Sequence, residues 1–177
     1  MKNNNDFSKK WHSYFAVLNN PKQNGYDYEN PAEILQALIT SWTKDNPHRS
    51  VAASFCFGAT GTPHIHAIFE SEYGYSFSEM KELAPSWHLQ PTKGADALDY
   101  IFKRGRFAES DEIIVCTSSF GVIKGRNAGN PLAFIQDMLN AGRYKEFLDI
   151  GFSFGTRKRY LEKLAEQEKE ELSKMES

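Results

Sequence analysis

The chain has 177 residues, 40% hydrophobic and 14% aromatic, with 21 Lys+Arg against 23 Asp+Glu and a net charge of −2. That is enough apolar material for one buried core and too much for a disordered chain. It excludes a global basic field for nucleic acid but leaves room for a local basic groove, and no apolar run reaches the roughly 18 residues that span a membrane.

Two cysteines, Cys56 and Cys116, sit in separate strand-like runs and form neither a disulfide framework nor a zinc clip. The first residues lack the apolar core of a signal peptide, so an intracellular, reducing location is the expectation. Residues 1–10 are polar and are expected to be flexible.

From Trp11 to Leu18 the aromatic and β-branched content predicts a strand, closed by the turn signal Asn19-Asn20-Pro21. Asn30-Pro31 then supplies an N-cap and a proline at the first helical position. Ile34, Leu35, Leu38, Ile39 and Trp42 recur at helical spacing and predict an amphipathic helix from 31 to about 45. Val51–Phe57 and His64–Glu70 read as strands joined by a glycine-containing hairpin loop. Ser76-Phe77-Ser78-Glu79 is a capping box opening a short helix, which Pro85 stops. Trp87–Gln90 predicts a fourth strand, and Asp96–Lys103 a helix ended by Gly105. Glu112–Thr117 and Phe120–Lys124 are strand-like. Asn130-Pro131 starts a helix through Leu132, Phe134, Ile135, Met138 and Leu139. A short helix around Tyr144–Ile150 and a charged helical segment, Thr156–Lys174, follow. This order predicts an α+β fold: a central antiparallel sheet of about five strands flanked by helices, with extra C-terminal helices.

Two stretches carry chemistry. In Pro63-His64-Ile65-His66, alternation along a strand turns both imidazoles to one face, where they can grip one cation. A divalent ion there would polarise a phosphate oxygen, and a third protein ligand is expected. In Tyr100-Ile101-Phe102-Lys103, helical spacing puts Tyr100 and Lys103 on one face. A phenol beside a metal and an ammonium can attack a phosphodiester and hold the product as a 5′-phosphotyrosine. Lys103 would neutralise the phosphate or the leaving oxygen. Lys93, Arg104, Arg106, Lys124 and Arg126 are candidates for a groove along single-stranded DNA.

In these motifs and their order the chain resembles the rolling-circle replication initiators (Rep proteins) that carry a His-hydrophobe-His, or HUH, endonuclease domain. The likeness is greatest to those of circoviruses, geminiviruses and related small replicons, including plasmids. Tyr14–Pro21 resembles the first motif of that family, which would give Asn19 and Asn20 a part in origin recognition. Pro63–His66 resembles the second, the metal motif, and Tyr100–Lys103 the third, which holds the nucleophile. The segments His88–Tyr100 and Phe120–Arg126 also resemble their counterparts. The likeness spans residues 11–130, the expected endonuclease domain, and leaves 131–177 as a helical extension.

The resemblance implies metal-dependent nicking and rejoining of single-stranded or hairpin origin DNA, with Mg²⁺ or Mn²⁺ held by His64 and His66. Tyr100 and Lys103 would be catalytic. It also implies a cytoplasmic protein if bacterial or plasmid-encoded, or a nuclear one if from a eukaryotic virus. No phosphate-binding loop of a helicase occurs in the chain, so the expectation is either a stand-alone nickase with a separate helicase as partner or an excised domain. The family's acidic metal ligand precedes the hairpin, where Val51–Phe57 holds none. Cys56 is read there as a core residue, and Glu70 lies about 13 Å beyond His66 at strand rise. His88 and Gln90 also approach, and the third ligand stays open. Rival readings are a mobilisation relaxase, an HUH transposase, or a non-catalytic DNA-binding replication regulator.

Overall fold

A computed structural model describes residues 8–44, 46–94 and 96–128, together with isolated helical positions at 133, 136, 140, 162, 165–166, 169–170 and 173–174. Residues 1–129 form one compact unit and 130–177 a second. The helices expected around 131–139 and 144–150 fall almost wholly outside the described residues; in the charged segment 156–174 the described positions are helical.

Unit 1 is α+β. Its strands are β1 (Lys10–Asn19), β2 (Arg49–Phe57), β3 (Pro63–Ser76), β4 (His88–Pro91) and β5 (Ile113–Phe120). They make one antiparallel sheet in the order β4-β1-β3-β2-β5, which puts the histidine strand β3 at the centre. The helices are α1 (Pro31–Thr43), α2 (Phe77–Leu83) and α3 (Ala97–Ile101).

Alternation sorts the sheet's side chains into two faces. Tyr14, Ala16 and Leu18 of β1, Val51, Ala53 and Phe55 of β2, and Ile65, Ala67 and Phe69 of β3 join one buried core with α1. Ile34, Leu35, Leu38, Ile39 and Trp42 are the stripe that α1 buries against it. Asn30 accepts from the Ala32 amide at 2.9 Å, satisfying one of the donors that a helix start leaves orphaned. Trp42 donates its indole N–H to the Ser50 carbonyl, so the last turn of α1 is pinned to β2. The capping box at Ser76 and Glu79 forms as expected and starts α2.

The opposite face is polar where it matters. Ser13 on β1, Ser54 and Cys56 on β2, and His64, His66 and Glu70 on β3 are all buried there. Burying so many polar groups is costly unless each finds a partner.

Glu70 finds three. Its Oε1 takes the Gly125 amide at 2.5 Å and lies 3.0 Å from Ser13 Oγ; Oε2 takes the Lys124 amide at 2.8 Å. Ser13 Oγ is in turn 2.8 Å from Thr92 Oγ1. Burial pushes the carboxyl from its ordinary 4.5 to about 7, outweighing the bonds from Lys124, Gly125 and Ser13. A pKa raised on folding means that the native state holds this proton more tightly than the unfolded chain. The associated stability is full below about 4.5 and is lost as pH rises through about 7. Its size is about 3 kcal/mol. Urea titrations of the wild type and of Glu70→Gln between pH 4.5 and 8 should therefore differ in slope with pH. Parallel pH profiles in the two proteins would refute this.

Two expected elements change. The strand predicted for Phe120–Lys124 does not form: β5 ends at Phe120, because Gly121 turns the chain with φ 73, and Gly125–Asn127 is a single 3-10 turn. A Cβ on Gly121 would meet Ser50 Oγ at 2.6 Å, so both the conformation and the space call for glycine. The helix predicted for 96–103 is shorter. Lys103 lies beyond its C-terminus in the left-handed region with φ 50, an uncommon conformation for a side-chain-bearing residue. Among the described residues, no helix is long and apolar enough to cross a membrane.

Candidate metal and nucleophile site

His64 and His66 lie side by side on the polar face of β3, with ring centroids 4.7 Å apart. The Nδ1 of His64 is 3.1 Å from the Thr62 carbonyl. That oxygen only accepts, so Nδ1 donates to it and Nε2 is turned inward. Burial lowers the pKa of His66 more than the neighbouring Glu112 raises it, which keeps this imidazole neutral. Among the described residues, none gives its buried Nδ1 a hydrogen-bond partner.

Between the two rings stands a carboxylate that chain order alone did not single out. Glu112 Oε1 is 3.1 Å from His64 Nε2 and 3.1 Å from His66 Nε2, and the two nitrogens are 3.0 Å apart. Three atoms with lone pairs at these separations need a proton or a cation among them. One cation held by all three would satisfy them, and a mixed set of imidazole and carboxylate donors suits several divalent ions.

Cys56 also reaches this corner. Its sulfur and the two imidazoles lie within 4.8 Å of one another. Burial raises its thiol pKa, and the sulfur is 3.5 Å from Ser54 Oγ. A protonated thiol is a poor ligand for a hard cation, so Glu112 is the better third donor. Glu70 does not compete, being committed to Ser13, Lys124 and Gly125. His88 and Gln90, on β4 beyond β1, share this face but are farther from the triangle in strand order.

The second oxygen of Glu112 pairs with the Lys103 ammonium. Lys103 is therefore no solvated helix-end charge: its side chain is only 7% exposed. Its Nζ also lies 3.6 Å from the centroid of the Tyr100 ring. The left-handed turn at Lys103 lets a residue just past α3 fold back over its own tyrosine. Burial opposes ionisation of Glu112, but the bonds from Lys103 and His66 prevail and hold its pKa at about 2. The carboxylate is charged at any physiological pH.

Tyr100 completes the group. Its ring stands edge-on to His66 at 5.2 Å, Phe107 at 5.3 Å and Phe15 at 5.7 Å. These rings, with Gln90 and Lys93, line a cleft of about 420 Å³ that opens beside β4. Flat apolar rings beside a cation are what single-stranded bases stack on.

No protein-family model and no curated protein matches this chain.

The other sequence-predicted residues are spread around this centre. Asn19 is the register partner of His64, and the Asn20 amide donates to the Pro63 carbonyl at 2.8 Å. The Asn19-Asn20-Pro21 turn thus abuts the start of the histidine strand, and Asn20 takes the left-handed conformation there (φ 48). Lys93 lines the cleft. Arg106 is paired with Asp96, and Arg104 lies over the Phe102 ring at 4.8 Å. Lys124 and Arg126 belong to the segment after β5 that Glu70 holds.

Proposed function

We propose that this protein is a metal-dependent endonuclease of the HUH type. It would nick and rejoin single-stranded DNA through Tyr100 and serve as a rolling-circle replication initiator. The observation that carries the reading is the His64–His66–Glu112 triangle with Lys103 and Tyr100 packed against it, beside a cleft that His66 and Tyr100 line. An ion-binding corner, a buried ammonium and a phenol are the parts that phosphoryl transfer to a tyrosine needs.

His64, His66 and Glu112 would hold Mg²⁺ or Mn²⁺, which when bound polarises the scissile phosphate. The Tyr100 oxygen, having lost its proton, attacks phosphorus. The P–O3′ bond breaks, the 3′ oxygen takes up a proton, and the DNA stays joined through a 5′-phosphotyrosine. Reversal with a new 3′ hydroxyl rejoins the strand. Lys103 contributes positive charge beside the attacking ring, and Glu112 positions that ammonium. Phe15 and Phe107 keep water off the tyrosine and present surfaces for bases, while Lys93 supplies a phosphate contact at the cleft wall.

The test is a covalent adduct: protein, Mn²⁺ and a pool of single-stranded oligonucleotides, resolved on a denaturing gel. Absence of an adduct with every sequence would sink the nuclease reading and leave a non-catalytic DNA-binding regulator. A relaxase or transposase would also give an adduct. Neighbouring DNA separates them: an origin hairpin, a transfer origin or transposon ends. This reading also calls for a helicase activity, on another protein or another domain.

A further inference from the structure

After β5 the chain crosses the polar face of the sheet from one edge to the other. Gly121 packs against Ser50 on β2, Lys124 and Gly125 give their amides to Glu70 on β3, and Gly125 rests near Thr92 and Gly94, just past β4. Residues 121–126 thus form a strap, and Glu70 is its clasp. Thr92 and Gly94 are also walls of the cleft that holds Tyr100 and His66.

The strand β4 is four residues long, at the sheet edge, and pairs only with β1. Beyond Pro91 it is tied by the Thr92 amide to the Ser13 carbonyl at 3.0 Å and by the hydroxyl contact of Thr92 with Ser13. Ser13 in turn leans on Glu70. One carboxylate therefore closes a network that joins β1, β3, the end of β4 and the strap. Three donors face it; removing it lets the Ser13 hydroxyl turn to Thr92 but leaves two backbone amides without their acceptor in a dry place, which the strap would relieve by lifting.

We propose that Glu70 is a positioning residue for DNA binding: it clasps the strap so that the Thr92–Gly94 wall of the cleft, with Lys93, stands in place. Glu70 touches neither the metal corner nor Tyr100. The inference rests on the nickase reading for the identity of the ligand, single-stranded DNA, but the clasp itself is measurable without DNA.

Three readouts on Glu70→Ala and the near-isosteric Glu70→Gln test it. Amide hydrogen exchange at Lys124 and Gly125 should be slow in the wild type and accelerate at least tenfold in Glu70→Ala. In Glu70→Gln, the amide nitrogen can occupy one oxygen's place only by facing an N–H, so an intermediate loss is expected. Mn²⁺ binding, followed by the electron paramagnetic resonance signal of the free ion, should stay within about twofold. Affinity for a fluorescent random-sequence single-stranded oligonucleotide should fall about tenfold in the alanine variant and less in the glutamine one.

Loss of amide protection with unchanged oligonucleotide affinity would overturn the positioning role while leaving the nickase reading intact. Unchanged exchange would overturn the clasp itself. Loss of Mn²⁺ binding in Glu70→Gln would assign Glu70 to the metal corner and also overturn the inference. A wild-type protein that binds no single-stranded DNA would overturn the nickase reading, and with it the ligand assigned to this cleft.

Discussion

Replacing Tyr100 with phenylalanine is expected to abolish the covalent protein–DNA adduct while leaving metal and DNA binding within a few-fold of wild type. The substitution removes one oxygen and keeps the ring, so the contacts with His66, Phe15 and Phe107 survive. The face that Lys103 covers at 3.6 Å also survives. Binding through the cleft is stacking and charge, and neither needs the hydroxyl. Bond formation does need it, because the phenol oxygen is the only atom of that residue that can take the phosphorus. The adduct should fall below detection, a loss of at least about a thousandfold for a missing nucleophile. An adduct of undiminished yield in Tyr100→Phe would place the nucleophile elsewhere and remove the main support for the mechanism. The aromatic nature of the replacement matters, since Tyr100→Ala would also open the packing around His66 and confuse the two effects.

The second large effect belongs to Glu112. Its exchange for glutamine should weaken Mn²⁺ binding by about 100-fold or more. Even outer-shell partners of metal ligands are worth about 10–100-fold, and Oε1 is itself one corner of the triangle. The same change leaves the Lys103 ammonium buried without its counter-charge. A buried unpaired charge is costly, so Lys103 should swing out to solvent, and the Tyr100 ring should lose its cover. Nicking should fall further than metal occupancy accounts for, and excess Mn²⁺ should restore it only in part. Isothermal titration with Mn²⁺ alone separates the effects. Unchanged Mn²⁺ affinity in Glu112→Gln, with a large loss in Cys56→Ser, would hand the third ligand position to Cys56. The carboxylate is held near a pKa of about 2 by Lys103 and His66 despite its burial, so this donor is already ionised wherever the assay is run.

The amino-acid sequence by itself determined the local elements and the pairing of their chemistry. A period of two put His64 and His66 on one face; Asn30-Pro31 and the Ser76–Glu79 box started α1 and α2; the stripe from Ile34 to Trp42 picked the buried side of α1. These features depend on neighbours within one or two turns of chain, so local sterics and hydrogen bonding decide them. The five-stranded antiparallel sheet was also legible, from the hairpin and the strand count.

Only the tertiary structure decided how the site is completed. Glu112 lies 48 residues from His64 and just ahead of β5. Its carboxylate reaches the histidines because β5 pairs with the far side of β2, with Phe57 opposite both Pro63 and Ile113. Val51–Phe57 of β2 holds no acid, and the carboxylate beside the histidines comes from just ahead of β5. The burial of Lys103 has a similar cause: its left-handed backbone brings the ammonium back over Tyr100, where Glu112 compensates its charge. Strand rise places Glu70 too far from His66 for direct ligation; two of its partners, the Lys124 and Gly125 amides, come from a strap more than 50 residues later. Strand order and register bring these groups together, and both are global properties of the sheet: each strand's place depends on every other strand's burial, not on the residues beside it in sequence.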